Sequence, residues 1–430
     1  MFILAAVACT RRGAMSEAPP PQFTPDRPAS CLVVSPGEPV QKAIDAAPDR
    51  AALCLSPGTY SGPLQLSRGV VLWGPRDAVV RSSGEGTTVS LTGPGPRLLG
   101  LTVDGSGDRF DKVDAAVRVE AAEDAQIEGV RVVHSAFGII VERSRRVAVR
   151  ANEIVGNRQL TLGMRGDAIR LWETRDSVVE GNDVHDSRDV VIWFSPHNRV
   201  ENNRIDGSRY GTHLMYSSDA VVARNRYVRD EVGVFVMYSR NVDVDHNLAA
   251  DEGSSAGMGL GLKESGNVHA HGNMFIHDSV GLYVDNSPFE PEDVDDFESN
   301  VFRLDGTGVI FHSTPHRTSF RSCSFRDNSA QVRVDGGGDA LGVVWDGNDW
   351  DDYSGYDLNG DGVGDVPYTL RSLSADLLDA HPNLAFFAGA PTLALVEAAG
   401  RALPLFEPRT ILRDAHPRMA PLPLGGLDAD

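Results

Sequence analysis

The sequence repeats itself, and the repeat limits the folds open to it. A unit of Asn-x-apolar recurs as Asn152-Glu153-Ile154, Asn182-Asp183-Val184, Asn203-Arg204-Ile205, Asn225-Arg226-Tyr227, Asn247-Leu248-Ala249, Asn273-Met274-Phe275, Asn300-Val301-Phe302 and Asn348-Asp349-Trp350. Successive spacings are 30, 21, 22, 22, 26, 27 and 48 residues, and Cys323-Ser324-Phe325 divides the last into 23 and 25. A second unit shares the period, alternating apolar residues over four positions after a small residue. It begins at Gly138, Ala168, Gly211, Gly233, Gly259 and Gly281. Alternation over four positions is the pattern of a strand, and the runs are too short for helices. A unit of about 22 residues cannot bury a face alone, but stacked copies pair strand on strand around a continuous core. The predicted fold is therefore all-β: a single-stranded, right-handed parallel β-helix, a solenoid of about 22-residue coils over residues 29–350. The Asn positions form a ladder of like side chains at its bends. Residues 1–28 read as a leader and Pro-rich linker, 351–380 as a calcium-loop-like motif, and 381–430 as a short helical tail.

Stacking turns aligned positions into columns about 4.8 Å apart along the solenoid axis. In the second unit, Ile169/Leu171, Thr212/Leu214, Val234/Val236, Leu260/Leu262 and Leu282/Val284 point inward. The outward columns are Arg170/Trp172, Val191/Trp193, His213/Met215, Phe235/Met237, Gly261/Lys263 and Tyr283/Asp285, with Ile310/His312 following. Trp172, Trp193, Met215 and Met237 thus form an apolar stripe on a solvent face, beside His213 and Phe235. Such a stripe marks a covering loop or partner interface. Thioethers one coil apart with a nearby imidazole also suit Cu(I), and Met164 and Met258 in neighbouring loops would complete that ligand set. The remaining outward residues, Lys263, Tyr283 and Asp285, extend the docking stripe.

A further column, Asp186, Asp206, Asp230, Asp251, Asp278, Asp305 and Asp327, falls in the turns after the Asn units. Asp favours turns by bonding its own backbone, and the alternative is an acidic groove for cations. With 60 Asp+Glu against 40 Lys+Arg, the chain carries a formal charge of −20, which excludes a nucleic-acid partner needing a basic face.

The first nine residues are apolar and end in Cys9, like a secretory h-region running into a lipoprotein box, which makes Cys9 the predicted lipidation site. Cys31 and Cys54 flank a helix-like run from Gly37 to Ala47. They form either a disulfide, worth about 3 kcal/mol in an oxidising compartment, or two buried thiols. At the other end, Asp357, Asn359, Asp361 and Asp365, with the Val363 carbonyl, stand at calcium-loop spacings. Tyr368 occupies the position where such loops carry a bidentate Glu, so the segment is either a calcium site closed by other ligands or an Asx-rich turn. Residues 390–403 read as an amphipathic helix that docks a membrane partner or caps the open coil.

The β-helix shape raises a polysaccharide-active enzyme (lyase, hydrolase or epimerase) as the rival function. Gly166-Asp167-Ala168-Ile169 matches one piece of the polygalacturonase pattern, but no paired Asp-Asp, Gly-His-Gly or Arg-Ile-Lys completes it. A closer resemblance is to the NosD family. Met164-Arg165-Gly166-Asp167-Ala168-Ile169-Arg170-Leu171-Trp172 and Arg209-Tyr210-Gly211-Thr212-His213-Leu214-Met215-Tyr216-Ser217 match its hallmark runs, as do residues 186–191, 232–239, 259–265 and 281–287. The resemblance implies a non-enzymatic periplasmic protein standing on an ABC transporter built from an ATPase and a membrane permease. With a copper chaperone lipoprotein, such proteins serve assembly of the copper–sulfide centre of nitrous oxide reductase. It implies copper, as Cu(I), for cargo, and attachment to the membrane through the transporter or a lipid anchor.

Overall fold

A computed structural model describes residues 23–372, Thr392, Leu395 and 408–421 of the chain. Cys9 and all of the predicted tail helix except Thr392 and Leu395, which are both helical, lie outside them. From Leu32 to Trp350 the chain winds a parallel β-solenoid of about 14 turns. Its three parallel sheets hold 14, 13 and 12 strands, called here sheets one, two and three in the order a coil visits them. One coil runs through Arg199–Glu201, Arg204–Asp206 and Tyr210–Met215 before the next begins at Ala220–Ala223.

Inward residues stack on their own copies. Val200, Val222, Val244, Ala270, Phe297 and Phe320 follow one another in sheet one. In sheet three the succession is Leu171, Ile192, Leu214, Val236, Leu262 and Val284. All are buried. Toward the C-terminal end the core becomes aromatic. Phe302, Phe325, Trp350 and Tyr368 stack with centroid spacings of 4.9, 4.3 and 4.4 Å. Phe297 and Phe320 stack beside them at 4.6 Å.

Each coil must turn three corners, and at each a buried backbone N–H has no strand partner. A polar ladder supplies one. At the first corner Asn152, Asn182, Asn203, Asn225, Asn247, Asn273 and Asn300 form the predicted run. The Asn203 N–H and Nδ2 both donate to Asn225 Oδ1 at 2.9 Å, and Asn225 Nδ2 donates to the Val200 carbonyl at 2.8 Å. Cys323 interrupts the series, and Asn348 restores it by accepting the Cys323 N–H at 2.8 Å. At the third corner Ser144, Thr174, Ser195, Ser217, Ser239, Ser265 and Ser287 play the same part. The N–H of each residue up to Ser265 donates to the next residue's hydroxyl.

The second corner corrects the turn-Asp column. Asp230, Asp278 and Asp305 are buried. They accept the N–H of the preceding coil, from Ser208 (2.6 Å), Glu252 (3.0 Å) and Asp278 (2.9 Å). Asp186, Asp251 and Asp327 occupy the preceding left-handed position, with φ of +51°, +66° and +58°, while Asp206 ends a strand. The single sequence column is thus three structural positions, offset by a residue.

The two ends of the coil are covered. At the N-terminal end, Val40–Ala46 is an α-helix. It buries Val40 and Ile44 over the first coils, and Cys31 and Cys54 are disulfide-bonded beside it. At the far end Tyr368–Ser372 pairs antiparallel with Arg409–Asp414. A strand therefore forms within 381–430, read from sequence as a helical tail; an irregularity in its pairing leaves the adjacent Ile411 and Leu412 both buried over the end of the core. Asp414 Oδ2 also closes the Asn ladder, accepting Asn348 Nδ2 at 2.9 Å.

Asn225→Ala removes one acceptor from two buried donors and one donor from a buried carbonyl. We expect a loss of about 3 kcal/mol, measured by denaturant unfolding, against near-neutral behaviour of Arg224→Ala on the exposed side of the same bend. A second expectation concerns pH. Burial holds Asp305 up to about 9 and Asp295 up to about 7, and pushes Asp230, Glu252 and Asp278 up as well. The folded chain therefore keeps protons that the unfolded chain releases near pH 4, so stability falls as pH rises from about 4 through these values. Asp305→Asn, which needs no proton to be neutral, should raise the melting temperature at pH 8 and flatten its fall between pH 5 and 8.

Candidate functional site

The outer face of sheet three carries the stripe in the expected register. Trp172, Trp193, Met215, Met237, Lys263 and Asp285 succeed one another in one column, and Arg170, Val191, His213, Phe235, Gly261 and Tyr283 in the other. Strand alternation sends both columns outward, so sulfur and aromatic groups collect on one flat face. Trp172 and Trp193 meet edge to face at 4.6 Å.

At the centre, His213 Nε2 lies 3.1 Å from Met237 Sδ. His213 is only 9% exposed. Burial and then the nearby Arg209 charge push its imidazole down to about 4, so it is neutral at any physiological pH. Its ring meets Tyr210 edge-on at 4.8 Å and lies near Phe235 at 6.0 Å. Arg209 lies over Tyr210 at 4.4 Å and is held by Asp189, its Nε donating at 3.0 Å.

Two predicted ligands stand elsewhere than expected. Met258 opens the strand Met258–Lys263, not a loop. A Cβ on Gly261 would lie 2.8 Å from Met258 Sδ and 2.9 Å from the Phe235 ring, so the glycine is what lets sulfur and ring share that floor. Met164 lies in the 3-10 turn Leu162–Met164 and is 62% exposed, so the structure does not gather it onto the His213–Met237 pair. Farther along, Lys263 Nζ pairs with Asp285 at 3.0 Å, and Tyr283 Oη is 3.1 Å from His312 Nδ1.

One feature of this face escaped the repeat units. Phe194, Tyr216 and Tyr238 sit just past the sheet-three strands in left-handed corner positions (φ +49°, +51° and +50°). Their rings stack along the edge at 5.1 and 4.9 Å, with Phe194 and Tyr216 nearly half exposed. Aromatic residues at φ above zero are rare, and their spacing of 22 residues was the available signal.

Two carboxylates on this side of the coil are tied to basic side chains. Asp167, the residue of the polygalacturonase-like piece, is buried and accepts from Arg170 Nε at 2.7 Å and Arg188 Nε at 2.8 Å. Asp285 is tied to Lys263. In the C-terminal loop, Asp357 accepts N–H groups of Gly360 (2.6 Å) and Gly362 (2.8 Å), and Asp361 accepts that of Val363 (2.8 Å). These bonds make an Asx-rich turn and hold the Asp357 carboxyl below its usual range.

Residues 159–355 match the family described as "Periplasmic copper-binding protein (NosD)", and residues 34–249 match "Protein of unknown function (DUF1565)". A relative from Stutzerimonas stutzeri named "Probable ABC transporter binding protein NosD" is 28% identical over 391 residues, covering 85% of this chain and 86% of its own. A relative of the same name from Pseudomonas aeruginosa is 28% identical over 393 residues, covering 85% and 87%. Among solved structures, the catalytic domain of a GH87 α-1,3-glucanase superposes with a TM-score of 0.56 at 13% identity, over 77% of this chain and 71% of that one. That likeness speaks to the coil alone.

Proposed function

Because the chain belongs to the NosD family, we infer that it is a non-enzymatic periplasmic component of an ABC-transporter-linked system, and that its sheet-three stripe receives Cu(I). The observation that carries the copper assignment is the 3.1 Å contact between His213 Nε2 and Met237 Sδ. Both are uncharged donors, and the imidazole keeps its lone pair because it stays unprotonated. Cu(I) favours few, soft ligands, and thioether plus imidazole is such a set. Met215, opposite Met237 in the next coil, supplies a second thioether, and Met258, whose sulfur lies beside the Phe235 ring, is a further sulfur on the face.

The surrounding surface is the docking half of the same site. Trp172, Trp193, Phe194 and Tyr216 present rigid aromatic area, with Lys263 and Asp285 at the rim, the composition of an interface centre. In this reading the cargo passes from a copper chaperone lipoprotein to the stripe. The solenoid, seated on the ATPase–permease complex, then serves assembly of the copper–sulfide centre of nitrous oxide reductase. Among the described residues no helix is long and apolar enough to cross a membrane, so on this reading the membrane contact of that part is made through the permease.

Cu(I) titration of the full chain, in competition with a chromophoric chelator, tests the copper assignment. We expect His213→Ala and Met237→Leu each to weaken binding at least about tenfold. Binding should hold between pH 7 and 5, where an ordinary imidazole near pKa 6.5 would protonate and release the metal. Unchanged stoichiometry and affinity in the His213→Ala/Met215→Ala/Met237→Ala triple variant would sink it. Copper loading of nitrous oxide reductase in cells producing that variant tests the maturation role.

A further inference from the structure

On sheet one, on a different side of the coil, Asp245, His246 and His271 bring three ligand atoms within 4.8 Å of one another. Asp245 and His271 are register partners on the paired strands Arg240–Asp245 and Gly266–His271, one coil apart. His246 takes the left-handed corner position (φ +51°), which swings its ring up over the next coil. There Gly272 leaves the space: a Cβ at that residue would stand 3.0 Å from His246 Nε2. The two imidazoles meet edge to face at 5.3 Å and 66°, and His246 Nδ1 lies 2.8 Å from Asp245 Oδ1.

We propose that Asp245, His246 and His271 form a second metal site, for a borderline divalent ion of the Zn²⁺/Cu²⁺ class. Two imidazoles and a carboxylate are nitrogen and oxygen donors that favour such ions over Cu(I). Three protein ligands at an exposed corner leave further positions to water, as in sites that exchange their metal. Glu298, in register with His271 one coil on, adds negative charge at the rim.

Ordinary surface pairing does not account for the arrangement. His134–Asp104, His277–Asp251 and His416–Asp346 are also exposed pairs, at 2.8, 2.7 and 2.8 Å. Each has a single imidazole. Among the described residues, three side chains of the His, Cys, Asp and Glu types converge within ligand distance only at His246. The site is also held stiffly. The His246 N–H donates to the His271 carbonyl at 2.9 Å, and the next residue, Asn247, is locked to Asn273 by the ladder. Ligands on a rigid frame lose little freedom when a metal arrives.

Isothermal titration of the full chain with ZnCl₂ and, separately, CuCl₂ tests the proposal. One ion per chain should bind to the wild type, and His246→Ala and His271→Ala should each weaken it at least about tenfold. His213→Ala/Met237→Leu should leave it intact, so failure of this site and of the Cu(I) site are told apart. Unfolding without added metal checks that the His variants fold as the wild type does. No uptake of either ion by the wild type, or equal uptake by the His246→Ala/His271→Ala double variant, overturns it.

Discussion

A coil that turns three times per revolution leaves buried peptide N–H groups at every bend, each costing a few kcal/mol if unpaired. In this chain side chains of the following coil answer them, through Asn at the first corner, Asp or Asn at the second and Ser or Thr at the third. The Asn rung is the strongest of the three. One carbonyl oxygen takes two donors from the coil below, and the amide returns a donor to a backbone carbonyl. Since every rung is supplied by the neighbouring coil, no coil is satisfied alone. Registers are thereby fixed to the residue across each sheet.

That registration is what creates chemistry on the outside. His213 and Met237 are 24 residues apart in sequence. They touch because His213 stacks under Phe235 and Met215 under Met237. The second-corner ladder shows the same constraint working on charge. Asp230, Asp278 and Asp305 each leave Oδ2 without a partner, and Glu252 leaves both carboxyl oxygens so. A carboxyl that keeps its proton resembles an amide there, and Asn328 takes that place at the end of the series, donating to the Phe302 carbonyl at 3.0 Å. Part of the formal −20 is therefore neutral inside the fold and is not available to attract cations.

The solenoid, the Asn ladder and the register of the two outward columns were all legible in the sequence, because each depends on a residue type recurring at a nearly constant spacing. What was missed lies one residue off those units. The acidic rungs fall one residue after the left-handed corner, so a column of Asp chosen by eye mixes buried rungs with exposed corner residues. Phe194, Tyr216 and Tyr238, and likewise His246, occupy those left-handed positions, where a side chain leaves the strand alternation that predicts its direction. The strand Arg409–Asp414 has its partner some 40 residues earlier, at Tyr368–Ser372, and a partner so distant leaves no periodic trace.

A framework this stiff also decides how metals are told apart. A hinged protein discriminates by closing on the right ion, whereas stacked coils hold their ligands at fixed spacing whatever arrives. Selection then falls to donor type and accessibility. The sheet-three face offers thioether and a buried neutral imidazole, donors that on the reading proposed above suit a soft monovalent ion. The sheet-one corner offers exposed imidazoles and a carboxylate, fitting a divalent ion taken from solvent. The strands Tyr210–Met215 and Val232–Met237, which carry the first set, and Arg240–Asp245 and Gly266–His271, which carry the second, belong to successive coils. They share the ladder through Asn225, Asn247 and Asn273. The two proposed donor sets are thus held by one ladder while lying on different sheets of the coil.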